Sequence, residues 1–120
     1  MGLNFLRIAV VYLVLGALLG GFMGATQQFT LAPVHAHLLL LAWVSFALAG
    51  LVYHLYPAAS ATRLARIHFW LHNIGLPLFM VGLAMLLTGR SAGPLVAIPA
   101  AVLIAALALF AANVLINVKR

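Results

Sequence analysis

Acidic residues and cysteines are both absent from this chain of 120 residues. Without Asp or Glu, the chain has no paired carboxylates for acid–base catalysis, no carboxylate cage for Mg²⁺ or Ca²⁺ and no carboxylate proton relay. Without Cys, it has no disulfides, iron–sulfur clusters, thiolate metal sites or covalently attached haem. The side chains left for chemistry are five histidines, three tyrosines, two tryptophans and a few amides.

Long apolar segments make up most of the chain. Hydrophobic residues account for 68% of the sequence and the mean hydropathy is +1.27, far above water-soluble domains. Four segments each approach the ~20 residues that a helix needs to cross a bilayer, and their connections are short. We expect spans at about 5–26, 33–56, 67–88 and 94–118. The sequence thus predicts one all-α domain over residues 1–120, a polytopic membrane protein with four transmembrane helices in an antiparallel bundle.

Basic residues mark the ends of these segments. The six Lys and Arg give a formal charge of +6, a value that also suits a nucleic-acid-binding protein. Because the charges lie at span ends, we interpret them as a topology signal and expect no nucleic acid partner. One end of the bundle carries Arg7, Arg63, Arg66, Lys119 and Arg120, and the other carries Arg90 alone. The positive-inside rule then predicts that both termini are cytoplasmic.

Glycines recur in the first span at four-residue intervals, at Gly16, Gly20 and Gly24. A face of small residues lets two helices approach closely in lipid. It would also leave room for a flat cofactor, but helix packing is the more common reason for the pattern. We therefore expect these glycines to serve helix contact.

Two histidines, His35 and His37, stand one residue apart near the start of the second span. Ionisable side chains within a membrane are costly and are candidates for function. Imidazole ligates haem iron, zinc and copper. Residues two apart on a helix are separated by about 200° around its axis, so each ring is expected to serve a different site. Haem suits the apolar surroundings better than zinc, which requires four ligands gathered together.

The same segment resembles a central helix of subunit I of the haem–copper oxidases, most closely in the cb-type oxidases and nitric oxide reductases. The similarity lies in the elements His35-Ala-His37, Trp43-Val44-x-Phe46, Gly50 and Tyr53-x-Leu55-x-Pro57. In that family the first histidine binds one haem and the second binds a neighbouring haem on the opposite face. The resemblance therefore implies that His35 and His37 are haem ligands, and that the chain corresponds to one four-helix arc of that subunit.

Further expectations follow from this resemblance. The family holds the haem propionates with an arginine pair, and Arg90 stands alone at the corresponding turn; the competing interpretation is an ordinary turn arginine. The histidines of the family's copper site have no counterpart, so no copper is expected. Together with the charge distribution, the resemblance places the chain in the inner membrane of a bacterium.

Opposed ligands on one helix predict an oligomer. His35 of one protomer would meet His37 of the next across a haem, and such a head-to-tail contact must close into a ring or grow without limit. The family's three arcs imply a cyclic homotrimer. Three copies would supply twelve spans and hold three b-type haems at the protomer interfaces.

The remaining histidines, His54, His68 and His72, are expected toward the inner side. His68 and His72 share a helix face and form, with His54, a candidate second site for a metal or haem. The alternative that we favour is a structural role for histidines solvated at the membrane interface. Aromatic neighbours at this level, Tyr53, Tyr56 and Trp70, are expected to form an interfacial belt, and Asn73 is expected to bond to a neighbouring helix.

Four functions remain open at this point. The leading one is a cytochrome b-like membrane protein that transfers electrons or senses redox state or a gas, with electron donor and acceptor unknown. The second is a haem enzyme that keeps an open iron position for oxygen or nitric oxide. The third is a two-haem electron wire that pairs the outer site with the inner histidines. The fourth is an accessory or assembly subunit without a cofactor.

Overall fold

A computed structural model describes residues 1–119 and contains helices but no strand within that range. The four long helices have 24 or 25 residues, and each is apolar enough to cross a membrane. This confirms the predicted fold class, a bundle of membrane-spanning helices. The helices are α1 (Gly2–Thr26), α2 (Ala32–Leu55), α3 (Pro57–Ser60), α4 (Arg63–Leu87) and α5 (Gly93–Asn117).

The helix boundaries follow from local backbone chemistry. α1 ends at Thr26, because the next residue, Gln27, adopts a left-handed conformation (φ 53°). The segment after α2 was expected to be a linker, but Pro57 begins the short helix α3. α4 begins at Arg63 rather than near residue 67, because the Thr62 hydroxyl accepts a hydrogen bond from the Ala65 amide (3.1 Å). The first turn of α4 contains charged residues, so the apolar pattern did not indicate that the helix begins there.

The long helices alternate in direction and meet around a core of aromatic rings. Phe5 of α1 is fully buried near its centre. Its ring centroid lies 5.5 Å from that of Phe46, 5.4 Å from that of Tyr53 and 5.1 Å from that of His68. These contacts bring the start of α1, the second half of α2 and the start of α4 to one end of the bundle. Four of the five basic side chains in the described residues belong to that end; Arg120, expected there too, lies outside the described residues.

The bundle is flattened in cross-section. Its principal extents are 48 × 29 × 17 Å, and the longest runs along helices of this length. Neighbouring helices pack with axes about 8–10 Å apart, so a square bundle would be nearly equal in its two shorter dimensions. The cross-section is therefore an elongated arrangement of helices rather than a square one.

A π-helical segment interrupts α2 at Leu38–Val44, directly after His37. A π segment widens the helix, because its backbone N–H groups bond to carbonyls five residues earlier. The Leu40 carbonyl accepts twice from Ser45, from its backbone N–H and from its hydroxyl (2.7 Å). The register of the helix therefore changes between the first two histidines and the remainder of α2.

Gly16 and Gly20 let α2 approach α1. A Cβ atom at Gly16 would lie 2.7 Å from a methyl carbon of Leu39, and one at Gly20 would lie 2.7 Å from Cε1 of His35. Gly24 faces open space, with no atom within 4 Å of such a Cβ. Helix contact thus accounts for the first two glycines of the pattern but not for the third.

Candidate functional site

His35 lies in the groove between α1 and α2, half-buried over Gly20. Its Nδ1 is 2.8 Å from the Gly16 carbonyl oxygen. Because a carbonyl only accepts, Nδ1 carries the proton and Nε2 carries the lone pair. No fully buried side-chain nitrogen in the described residues lacks a partner, so this unpartnered Nε2 is not fully buried. The ring is therefore held in one tautomer whose Nε2 lone pair has no protein partner.

His37 is arranged in the same way on another face of α2. Its Nδ1 is 2.6 Å from the carbonyl oxygen of Pro33, one turn earlier in the helix. The ring meets Phe79 of α4 edge to face, with centroids 5.3 Å apart. Nε2 again has no protein partner and is not fully buried. Metal-ligating histidines nearly always donate their second nitrogen in this way, which fixes the ring and makes the free nitrogen more basic.

The two rings contact different helices, His35 against α1 and His37 against α4. One metal ion held by both rings of a single chain is incompatible with this arrangement. Within residues 1–119, no three potential ligands come together to form a closed metal site. A cavity beside the connection between α1 and α2 has a volume of about 200 Å³, smaller than the usual ligand pocket of about 300–1,000 Å³. Neither His35 nor His37 lines this cavity, so it does not hold a cofactor against either ring.

The inner histidines form a buried hydrogen-bonded chain. His68 and His72 are both 0% exposed. The Tyr53 hydroxyl lies 2.9 Å from His68 Nδ1, His68 Nε2 lies 3.1 Å from His72 Nδ1, and His72 Nε2 lies 2.8 Å from the Leu41 carbonyl oxygen. The carbonyl only accepts, so His72 donates through Nε2 and accepts through Nδ1. It follows that His68 donates to His72 and that Tyr53 donates to His68.

This burial corrects two expectations. His68 and His72 are not solvated at an interface, because Phe5, Phe46 and Phe110 cover their rings with centroids 3.9–5.1 Å away. Tyr53 is not part of an aromatic belt either, since it is 2% exposed and hydrogen-bonded in the core. Hydrophobic periodicity does not predict that these polar groups form hydrogen bonds with one another.

Other aromatic side chains at this level are exposed. Trp70 is 61% exposed and Tyr56 is 39% exposed, as side chains of an interfacial belt would be. Amphipathic rings of this kind favour the boundary between lipid and water. The belt interpretation therefore fits these two residues.

His54 does not join the other inner histidines. It is exposed on α2, while its neighbour Tyr53 points into the core. Both ring nitrogens of His68 and of His72 are engaged with protein groups. The candidate second site of three histidines is therefore not assembled, and the buried pair offers no free nitrogen to a metal.

Three asparagines take positions that the sequence did not reveal. Asn73 was expected to bond to another helix, but its Nδ2 donates to the Phe69 carbonyl of its own helix (2.7 Å). Asn113 is fully buried in α5, and its Nδ2 donates to the carbonyl of Ala59 in α3 (3.0 Å). Asn117 donates in turn to Oδ1 of Asn113 (2.7 Å). An amide in an otherwise apolar helix was the only sequence signal for this contact.

Arg90 is exposed in the turn between α4 and α5. Its amide donates to the Met85 carbonyl (2.8 Å), and the preceding Gly89 has φ 85°. This turn lies at the same end of the bundle as the start of α2. The side chain is therefore free to bind an anion at the end that carries His35 and His37.

Comparisons with protein-family models, curated proteins and solved structures found no match for this chain.

Proposed function

We propose that this chain is a b-type cytochrome of the membrane, in which His35 of one protomer and His37 of the next ligate a shared haem. The observation that carries the proposal is the state of the two rings. Each donates Nδ1–H to a backbone carbonyl, and each presents an unpartnered Nε2. Two histidines within one helical turn share the same tautomer and the same unpartnered nitrogen. Ligation explains this more readily than helix packing does.

The opposed directions of the rings support a shared site between copies. Because His35 faces α1 and His37 faces α4, one chain offers a single ligand on each of two faces. A contact between the His35 face of one copy and the His37 face of the next is heterologous. Such contacts give a finite assembly only if the copies close into a ring. The flattened 29 × 17 Å cross-section suits an arc, and the resemblance to oxidase subunit I favours closure as a trimer with three haems. Arg90 is then placed to pair with a propionate.

The proposed cofactor would supply reversible one-electron chemistry. Two imidazole ligands fill both axial positions, so electron transfer is favoured over the binding of a substrate at iron. The two-haem wire loses support, because His68 and His72 have no free nitrogen and His54 faces away from them. We infer a bacterial inner membrane with cytoplasmic termini from the basic end of the bundle.

The test is a spectrum of the purified protein with a haem-per-chain assay. We expect a low-spin b-type spectrum, about one haem per chain, and no shift of the reduced Soret band with carbon monoxide. His35→Ala and His37→Ala should each abolish the low-spin signal, because each removes one ligand from every site. His54→Ala is the matched control, since this exposed histidine lies on the same helix, and it should retain the wild-type spectrum.

Other results would favour the alternatives. A carbon monoxide shift in the wild type would indicate an open iron position and therefore an enzyme. A colourless protein, or pigment that survives removal of both His35 and His37, would contradict the proposed function and leave an accessory role.

A further inference from the structure

The buried chain of Tyr53, His68 and His72 is unexplained by the proposed ligands. It places two imidazoles in the middle of a membrane protein without any carboxylate to pair with. Ionisable groups at such depth are expensive, and two buried amides would hold the same helices together at lower cost. Imidazole differs from an amide in that it can gain and lose a proton.

We propose that His68 and His72 form a buried proton-accepting site that takes up a proton when the neighbouring haem is reduced. The inference rests on the proposed function, because the haem bound by His37 is the source of the added negative charge. It assigns to the inner histidines a role in setting the reduction potential, not a role as ligands.

Position links this pair to the ligand. His72 donates to the carbonyl of Leu41, which follows His37 by four residues on α2, about 6 Å along the helix axis. An electron added near His37 is therefore separated from His72 by little more than the Leu41 peptide group, and no Lys, Arg, Asp or Glu lies between residues 8 and 62 or between residues 67 and 89. Added negative charge in a medium of low dielectric favours protonation of a nearby imidazole. Leu41 belongs to the π segment that begins directly after His37, so this segment joins the two sites.

The surroundings leave the pair without a competing charge. Phe5 from α1, Phe46 from α2 and Phe110 from α5 pack against the two rings. Among the described residues, Tyr53 is the one other titratable group in contact with them. A proton that arrives here is therefore held by the histidines themselves.

The hydrogen bonds define how one proton would enter. Tyr53 transfers its hydroxyl proton to His68 Nδ1, and His68 releases its Nε2 proton to His72 Nδ1. The Tyr53 oxygen then regains a proton from the aqueous phase at the basic end of the bundle. The balance is one proton gained from water and one positive charge on His72, whose Nε2–H still donates to Leu41.

A polar approach to Tyr53 exists from that end. The Tyr53 ring packs edge to face on Phe110 of α5, and Asn113, which bonds to Asn117, lies one turn further along that helix. Asn117 is half-buried, one turn closer to the end of α5. Asn113 and Asn117 thus place polar groups on α5 between the helix end and the level of Tyr53.

The experiment is a redox titration of the haem-loaded protein on an electrode between about pH 5 and about pH 8, where imidazoles titrate. The wild-type potential should fall as the pH rises, because reduction then requires a scarcer proton. The limiting slope is a tenfold change in the reduction equilibrium per pH unit, about 59 mV. His72→Gln keeps a hydrogen-bonding side chain but cannot be protonated, and it should flatten the slope. His54→Gln is the control and should leave the slope unchanged.

The outcomes separate this inference from the proposed function. A low-spin wild type whose potential is independent of pH would overturn the inference alone. So would an undiminished slope in a low-spin His68→Gln/His72→Gln double variant. A wild type without low-spin haem would overturn both the inference and the function on which it rests.

A kinetic measurement covers the case in which the histidine variants do not fold. Tyr53→Phe removes the proton donor but leaves both imidazoles in place. We expect the equilibrium slope to persist while proton uptake after rapid reduction, followed with a pH-sensitive dye, slows by about tenfold or more. An unchanged uptake rate would contradict the proposed route.

Discussion

At the residue scale, His35 and His37 are distinguished by which nitrogen remains free. The sequence itself shows the two imidazoles, and helix geometry predicts that they point in opposed directions. It did not reveal that the Gly16 and Pro33 carbonyls select the same tautomer in each ring. Those partners depend on how close α1 approaches α2 and on a side-chain torsion, neither of which is encoded by hydrophobic periodicity.

Gly20 offers a test of how the His35 ring is held. A methyl group in Gly20→Ala would lie 2.7 Å from His35 Cε1, so the ring must move away from the Gly16 carbonyl. Loss of such a supporting contact typically weakens metal binding about 10- to 100-fold, and we expect haem affinity to fall within that range. The measurement is a haem titration of the apoprotein.

Gly21→Ala is the matched control for that substitution. No atom lies within 4 Å of a Cβ at Gly21, and alanine favours the helix over glycine. Haem affinity should stay at the wild-type level in this variant. Equal affinities in Gly20→Ala and the wild type would show that His35 does not depend on this support.

At the scale of elements, the four spans were predictable and the interruption of α2 was not. Apolar runs of bilayer length located each span, and the boundaries differ by a few residues where charged or capping residues begin a helix. The π segment Leu38–Val44 contains a run of leucines without any breaker. Its carbonyls also have side-chain partners, since Ser45, the next residue, donates to Leu40 and His72 of α4 donates to Leu41.

Asn113 tests the contact between α5 and α3. Its amide is fully buried, donates to the Ala59 carbonyl and accepts from Asn117. Replacing it with alanine removes both bonds, and we expect a loss of about 1 kcal/mol in the free energy of unfolding. Unfolding in mixed detergent micelles provides the measurement. Asn117→Ala loses one half-buried bond and should cost less; an equal or larger cost would contradict this assignment.

At the scale of the whole molecule, the structure shows a bundle whose apolar helices are widely exposed. Only 17% of the most apolar window of α1 and of α5 is buried within the chain. These surfaces require lipid or further copies of the chain. Membrane insertion was predictable from composition, whereas the flattened cross-section depends on which helices touch, and a sequence of uniformly apolar spans does not specify that.

The proposed function depends on assembly, because His35 and His37 of one chain do not face each other. A shared haem needs His35 from one protomer and His37 from its neighbour, because the two rings of one chain contact opposite helices. The sequence resemblance favours three copies, and native mass measurement would determine the number. The sharing itself is open to a more direct test.

That test is co-assembly of His35→Ala with His37→Ala in equal amounts. Each variant alone lacks one ligand at every interface. In mixed rings, a His37→Ala protomer still supplies His35, and a His35→Ala protomer still supplies His37. An intact site forms wherever these two intact histidines meet at an interface. Random mixing makes this one of four ordered pairs, so the low-spin haem should recover to roughly a quarter of the wild-type amount per chain. No recovery in verified mixed oligomers would contradict a haem shared between protomers.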